Sequence, residues 1–435
     1  IPYWQSPCVS LYCGDALAVL REFQSESVHM VCTSPPYWGL RVYAGLQALV
    51  WGGAEGCDHS WDRPVVVARV HYDLGSSTLS GSNSQQMAEG TFRAESAFCT
   101  GCSAWRGSLG LEPTLDLYVQ HIVECFREVR RVLRSDGVCF LNLGDSYAGS
   151  GSLGGDFRDG KGGDTYLRPY NREGSGLKPK DLVGIPWRVA FALQAEGWWL
   201  RSDIIWSKPN PMPESVQTRP TRSHEYLFLL TKSANYYYDA EAVSEPDGGY
   251  GSGNIQARAN NQPEGRSGVE VSIPWDSTGR RNRRSVWTIP TQPYKGAHFA
   301  TFPEKLVEPC ILAGTSEKGC CPECGAPWER IVEKQAGPPP ESWHQSRFDD
   351  GRNAEVHPNV GRRENANTQS SYPDGSTAKR LALLRQQARA NGGEYKAHNT
   401  TIGWQPTCSC GREDTVPCLV LDPFAGSGTV PVVAQ

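Results

Sequence analysis

No apolar run in this 435-residue chain is long enough to span a bilayer, and no signal peptide is visible in it. Those two absences set aside a helical membrane protein and an exported one, so the cytoplasm is the expected compartment. Positive charge is also in short supply: 43 Lys and Arg stand against 47 Asp and Glu, a net charge of −4. That excludes a global basic field that would grip polyanions everywhere. It does not exclude a local cluster such as Arg280, Arg281, Arg283 and Arg284 tracking phosphates. Cysteine, in contrast, is plentiful. Fifteen Cys are many for a cytosolic chain, and a disulfide framework does not suit that compartment. The length suffices for one catalytic domain with sizeable insertions. The chain opens on Ile1 rather than Met and ends soon after Val430, and a fragment of a longer protein is expected.

Read along the chain, Val9 to Cys13 predicts a short strand, followed by Gly14-Asp15 and a helix over Ala16 to Phe23. Val28 to Cys32 is the next strand. Leu115, Tyr118, Val119, Ile122, Phe126, Val129 and Leu133 recur at helical spacing, started by Pro113-Thr114 and ended by Asp136-Gly137. Then come a strand over Val138 to Leu143, a helix over Ile185 to Ala195, and strands over Trp199 to Trp206 and Glu225 to Thr231. A helix over Pro303 to Leu312 and a strand over Cys418 to Leu421 close the series. Strands alternating with helices predict an α/β fold with a largely parallel sheet.

The segments between these elements predict a division into core and insertions. Residues 1–51 start the core, 52–110 form an insertion, and 111–243 return to the core. Residues 244–295 are a flexible segment suited to target recognition. Residues 296–315 carry the Pro303 to Leu312 helix, 316–415 is a second insertion, and 416–435 end the core. Gly144 to Gly176 is too long and polar to pack throughout and reads as a mobile lid. Gly337 to Gly375 is expected to be disordered. Thr377 to Ala390 is expected to be an amphipathic helix capped by Ser376, with Gly392 beyond its end.

Each insertion carries a metal-like spacing. Cys321-Pro322-Glu323-Cys324 with Cys408-Ser409-Cys410 offers four thiolates, and Gly325 resembles the turn of a zinc knuckle. Cys320 is an adjacent spare. Cys57-Asp58-His59 with Cys99-Thr100-Gly101-Cys102 offers three thiolates and an imidazole; the plainer reading is buried free cysteines and a surface histidine. Four protein ligands leave no open position, so one or two structural zinc ions are expected rather than catalytic ones. A nucleobase-deaminase arrangement would place a Glu beside the histidine, whereas Ser60 follows His59.

Two motifs stand at opposite ends of the chain. Leu421-Asp422-Pro423-Phe424-Ala425-Gly426-Ser427-Gly428-Thr429-Val430 reads as a strand, a glycine turn and a helix start, with Gly426 and Gly428 clearing room for a bulky ligand. Thr33-Ser34-Pro35-Pro36-Tyr37 reads as a rigid corner at the end of a buried strand. Ligands of α/β sheets bind at such strand ends. Either motif alone would usually be an ordinary turn; their conjunction is specific. An exocyclic base amine is a poor nucleophile until its lone pair is turned out of conjugation. The Ser34 hydroxyl and the carbonyls of the Pro-Pro turn can accept its hydrogens. Tyr37 can stack on an extruded base for about 1–3 kcal/mol, which matches the few kcal/mol that extrusion costs.

On these residues the chain resembles the β-class DNA amino-methyltransferases, over Val9 to Thr231 and Ala297 to Gln435. In that class the catalytic corner precedes the cofactor motif. The resemblance implies a circularly permuted, Rossmann-like methyltransferase fold of bacterial or phage origin, truncated here at the C-terminus. It implies S-adenosyl-L-methionine (AdoMet) and double-stranded DNA as partners, with a cognate restriction enzyme as a further one. Ser34, Pro35, Pro36 and Tyr37 would present the base, and Asp422, Phe424, Gly426 and Gly428 would hold AdoMet, with Asp15 and Phe302 beside them. Asp15 reads equally well as a helix cap, Lys208 as a solvated charge and His224 as a structural histidine. The stretches Gly296 to Pro303, Ser207 to Glu214 and Arg219 to Glu225 resemble segments around the cofactor and base pockets.

Serine before Pro-Pro-Tyr is commoner for cytosine N4 than for adenine N6, so cytosine is the expected target and adenine the alternative. Methylation at cytosine C5 would need a Pro-Cys-Gln nucleophile, which Pro7-Cys8, Pro309-Cys310 and Pro417-Cys418 do not supply. An RNA or protein-amide methyltransferase and a non-catalytic DNA-binding remnant are the rival readings. The class pattern continues past the glycine turn into a strand with an acidic end, and no such strand follows Val430. Weak AdoMet binding by the chain ending at Gln435 is therefore expected.

Overall fold

The computed structural model describes residues 2–38, 48–62, 65–71, 91–148, 177–211, 213–214, 216–246, 280–292, 302–335 and 398–435. Two compact units separate: Ile1–Asp239 with Arg284–Trp328 and Pro406–Gln435, and Ala240–Arg283 with Glu329–Gln405. The first contains a six-stranded sheet made of β1 (Val28–Thr33), β2 (Leu133–Leu143), β3 (Trp199–Ser207), β4 (His224–Thr231), β5 (Val286–Thr288) and β6 (Val420–Leu421). Their spatial order is β5-β3-β4-β2-β1-β6. Only β4 runs against its neighbours; the β5–β3, β2–β1 and β1–β6 pairs are parallel. This is the mostly parallel α/β sheet expected.

Every residue of β1 is buried, which demands cover on both faces. On one face lie α1 (Ala16–Glu22), α2 (Leu115–Val132) and α3 (Ile185–Ala195), whose apolar stripes form one core with Val31, Cys139, Leu141, Leu143, Phe228 and Leu230. The start of α2 is set by Thr114, whose hydroxyl accepts the Leu117 amide at 3.2 Å, and Arg130 and Arg131 sit in its last turn where the helix dipole favours cations. On the other face lies α4 (Glu304–Gly314). A Cβ at Gly314 would come 2.7 Å from Val138 Cγ2 and 3.1 Å from Met30 Cβ, so the helix end touches the sheet only because that side chain is missing. A last short helix, α5 (Thr429–Val433), follows β6.

One expected strand is corrected. Val9 to Cys13 yields only a two-residue strand, Ser10–Leu11, paired antiparallel with Trp4–Gln5 outside the main sheet. Its residues are half-buried or exposed, which a strand covered on both faces cannot be. A small antiparallel sheet runs in the order Leu49–Trp51, Trp105–Gly107, Thr91–Phe98, Val65–His71. In the second unit, Glu245–Pro246 pairs with Arg280–Arg281, and the Arg281 guanidinium meets Glu245 at 2.9 Å, so one arginine of the basic cluster has a local carboxylate partner. Most of the glycine-dense loop, the 337–375 segment, the 377–390 helix and Gly296 to Thr301 lie outside the described residues. Among the described residues, no helix is long and apolar enough to cross a membrane.

Candidate active site

The parallel register of β1 and β6, with Val420 opposite Met30 and Leu421 opposite Val31, brings both motifs out at the same edge. Just beyond those pairs, the Thr33 hydroxyl donates to Asp422 Oδ1 at 2.6 Å across 389 residues of sequence. The same carboxyl oxygen accepts the Phe424 amide at 3.0 Å. Burial pushes the Asp422 carboxyl from its ordinary 3.8 up to about 6, against the pull of those two donors. Phe424 is half-buried against the main core, and Gly426 and Gly428 turn the chain with φ of 52° and 81°, a backbone that side chains rarely adopt. A carboxyl, an aromatic face and an open glycine turn suit a ligand that is part cationic and part aromatic.

Tyr37 does not project freely from its corner. Its hydroxyl lies 2.9 Å from Asn142 Oδ1 and 2.9 Å from Glu225 Oε2, one of which takes its single proton. The Ser34 hydroxyl donates toward the Tyr37 oxygen at 3.2 Å, and Asn142 Oδ1 stands 3.4 Å from it. Burial first, and then the Glu225 charge, hold the Tyr37 phenol well above its usual range, so it stays protonated. Glu225 also pairs with Lys208, whose ammonium sits 4.2 Å from the centre of the Trp206 ring. Lys208 is thus part of the corner rather than a solvated charge. Asn142 and Glu225 start from the facing ends of β2 and β4. The one polar residue in Val-Cys-Phe-Leu-Asn-Leu was the signal that could have found Asn142.

Beneath the corner lies a second set that sequence reasoning missed. The Tyr118 hydroxyl of α2 donates to the Pro36 carbonyl at 2.9 Å, so that oxygen already accepts one bond. Glu112, with no exposed surface, accepts the Gly110 amide at 2.8 Å and meets His121 Nδ1 at 3.0 Å. The Glu112 carbonyl accepts the indole N–H of the buried Trp38 at 3.0 Å. Gly110 has φ of 90°, and a Cβ there would lie 3.2 Å from Pro36 Cβ. Burial raises the Glu112 carboxyl, while the His121 hydrogen bond opposes that rise.

Asp15 and Phe302 were expected beside the cofactor. Asp15 caps α1, accepting the Ala18 amide at 2.8 Å, and Phe302 is half-buried just before the N-cap residue of α4. Both cysteine sets do assemble. In each of the groups Cys57, His59, Cys99, Cys102 and Cys321, Cys324, Cys408, Cys410, the ligand atoms lie within 4.8 Å of one another. In the first, Cys57 Sγ to Cys99 Sγ is 3.9 Å and Cys102 Sγ to His59 Nδ1 is 3.4 Å. Those are close to the edges of a tetrahedron built on Zn–S of about 2.3 Å and Zn–N of about 2.0 Å. Cys320 stands apart from the four-cysteine set, and its thiol lies 3.4 Å from the Val416 carbonyl. His29, Cys320 and Cys418 also converge within 4.8 Å, but both ring nitrogens of His29 already have backbone partners, Gly325 O at 2.8 Å and Leu419 N at 2.9 Å.

Residues 28–321 match a family model described as DNA methylase, of the N6_N4_Mtase type. Type II methyltransferase M.Cfr9I of Citrobacter freundii is 40% identical over 306 residues, 70% of this chain and 72% of that protein. Type II methyltransferase M.SmaI of Serratia marcescens is 38% identical over 307 residues, covering 70% and 75%. Among solved structures, the PvuII DNA methyltransferase, titled cytosine-N4-specific, aligns with 73% of this chain and 74% of its own at 16% identity and a TM-score of 0.37.

Proposed function

Because this chain belongs to the DNA methylase family, we propose that it moves a methyl group from AdoMet to the N4 amine of a cytosine in double-stranded DNA. The hydrogen bond between Thr33 and Asp422 supports this most directly, because it brings the two motifs to one place at the end of two adjacent strands. Asp422 and Phe424 would hold the cofactor, with Gly426 and Gly428 keeping the turn clear for it. When bound, AdoMet supplies a methyl carbon made electrophilic by its sulfonium.

The remaining work falls to the corner. The target cytosine leaves the duplex, and the ring of Tyr37 packs on its face. The Ser34 hydroxyl oxygen accepts a hydrogen of the exocyclic amine and turns the nitrogen lone pair toward the methyl. Asn142, Glu225 and Lys208 hold Tyr37 and Ser34 in register, so the amine does not have to order them itself. The amine would gain the methyl as the methyl–sulfur bond breaks, the bonding pair staying with a thioether that departs, and it would give up one proton, which passes through the acceptor oxygens of the corner to solvent. No covalent bond to the protein is needed.

A restriction endonuclease blocked by the same mark is the partner class that this reading implies. Purified full chain, AdoMet and plasmid DNA provide the test, with the nucleosides identified by mass spectrometry after digestion. 4-Methylcytosine is expected. 6-Methyladenine would overturn the choice of base, and unmodified DNA would overturn the activity.

A further inference from the structure

We infer that Cys321, Cys324, Cys408 and Cys410 hold a zinc ion whose knuckle seats the strand carrying the cofactor turn, so that metal at this site sets AdoMet affinity. The inference rests on the AdoMet reading above for its second half only.

Four sulfur ligands within 4.8 Å of one another suit a closed tetrahedral site for a soft divalent ion. The chain around the first pair has a knuckle's geometry: the Gly325 amide donates to the Cys321 carbonyl at 2.8 Å, the Cys321 amide to the Ala326 carbonyl at 2.9 Å, and Gly325 has φ of 70°. Two carbonyls of that turn accept side chains carried by β1 and β2. Cys324 O accepts Arg134 Nη1 at 2.7 Å, and Gly325 O accepts His29 Nε2 at 2.8 Å. The other nitrogen of the buried His29 ring, Nδ1, accepts the Leu419 amide at 2.9 Å. One imidazole therefore ties the knuckle to the residue before β6. Cys320 and Val416 add a reciprocal pair of backbone bonds, 2.8 and 2.9 Å.

β6 needs this support. It is two residues long, with two ladder positions on β1, and besides these the Leu419 carbonyl accepts the His29 and Met30 amides at 3.0 and 3.3 Å, a short hold for a strand that carries the cofactor turn. The other cysteine cluster braces a different place. The chain runs from Cys99 and Cys102 to Trp105, whose ring stacks 5.2 Å from His121, the partner of Glu112 beneath the catalytic corner. Metal at one site would support the cofactor side and metal at the other the base side.

The test uses the 435-residue chain purified without chelators: wild type, Cys410→Ser, Cys102→Ser, His29→Ala and His29→Gln. Zinc is measured by elemental analysis, hydrogen exchange at the Leu419 amide by mass spectrometry, and AdoMet affinity by calorimetry. We expect Cys410→Ser to lose one zinc, to speed exchange at Leu419 at least about tenfold, and to weaken AdoMet at least about tenfold, equivalent to about 1.4 kcal/mol. Cys102→Ser should also lose one zinc yet leave both other readouts within about threefold of wild type, less than about 0.7 kcal/mol. His29→Ala should keep its zinc and still expose the Leu419 amide. His29→Gln, with one donor and one acceptor, should restore part of the protection.

Iron or no metal at the four cysteines would overturn the inference. So would unchanged exchange and affinity in Cys410→Ser. If Cys410→Ser does not fold, unchanged exchange in His29→Ala would overturn it, and faster exchange with zinc retained would support it. Wild-type protein that ignores AdoMet would sink the cofactor reading, while exchange at Leu419 would still decide the role of the knuckle.

Discussion

Replacing Asp422 with Asn should make the protein more stable and worse at its task. The carboxyl sits at a strand end where burial raises it from 3.8 to about 6. A carboxyl raised on folding binds its proton more tightly in the native state than in the unfolded one. Stability therefore rises as pH falls from about 6 toward 3.8, and above pH 6 the ionised group weighs against the fold. The gap corresponds to at most about 3 kcal/mol. Asn is neutral at every pH, and its side-chain oxygen can still accept from Thr33 and Phe424. Asp422→Asn should thus gain about 1–3 kcal/mol at pH 8, with the gain shrinking through pH 6 and vanishing near pH 4. Urea midpoints across that range measure it. AdoMet affinity should fall by about tenfold or more, since hydrogen bonds to a charged group are worth about 1.5–3 kcal/mol. A variant less stable than wild type at pH 8, or a difference independent of pH, would refute the argument.

Other expectations follow from the same geometry. Tyr37→Ala should abolish methylation while AdoMet affinity changes by no more than about threefold, under about 0.7 kcal/mol, and equal loss of both by calorimetry would remove Tyr37 from the base side. A Cβ at Gly144 would come 2.6 Å from Tyr37 Cε2, so Gly144→Ala should cut kcat at least about tenfold, about 1.4 kcal/mol at the barrier, with AdoMet binding intact. Normal turnover in that variant would mean that the Tyr37 position does not matter. Glu112→Ala leaves Gly110 and His121 without their buried partner and should cost about 3–5 kcal/mol in chemical unfolding; a loss below about 1 kcal/mol would show the pair to be incidental.

Much of this was legible in one dimension because it depends on local rules. Leu115 through Leu133 shows its helix in the spacing of its apolar residues, and α2 runs over Leu115–Val132. Val28 to Cys32 is uniformly apolar but for His29, and the strand is buried on both faces. The Ser-Pro-Pro-Tyr corner and the glycine turn declare themselves through residues whose backbone options are few. The eight metal-ligand candidates were likewise readable from paired short spacings.

Tertiary structure alone decided the rest, because those contacts join residues whose sequence neighbours say nothing about them. His29 looks like a polar accident in an apolar strand until the fold places Gly325 and Leu419 on either side of its ring. Lys208 looks solvated until β3 and β4 bring Glu225 against it, and Glu225 then reaches Tyr37 from 188 residues away. Val9 to Cys13 carries a strand's composition, yet membership of the main sheet depends on a free edge in register, which composition does not encode. Local propensity and turn chemistry determine which elements form, and they act over a few residues. Which side chains meet at the ends of those elements is settled by the packing of the whole sheet, a sum over distant partners that no single stretch of this chain contains.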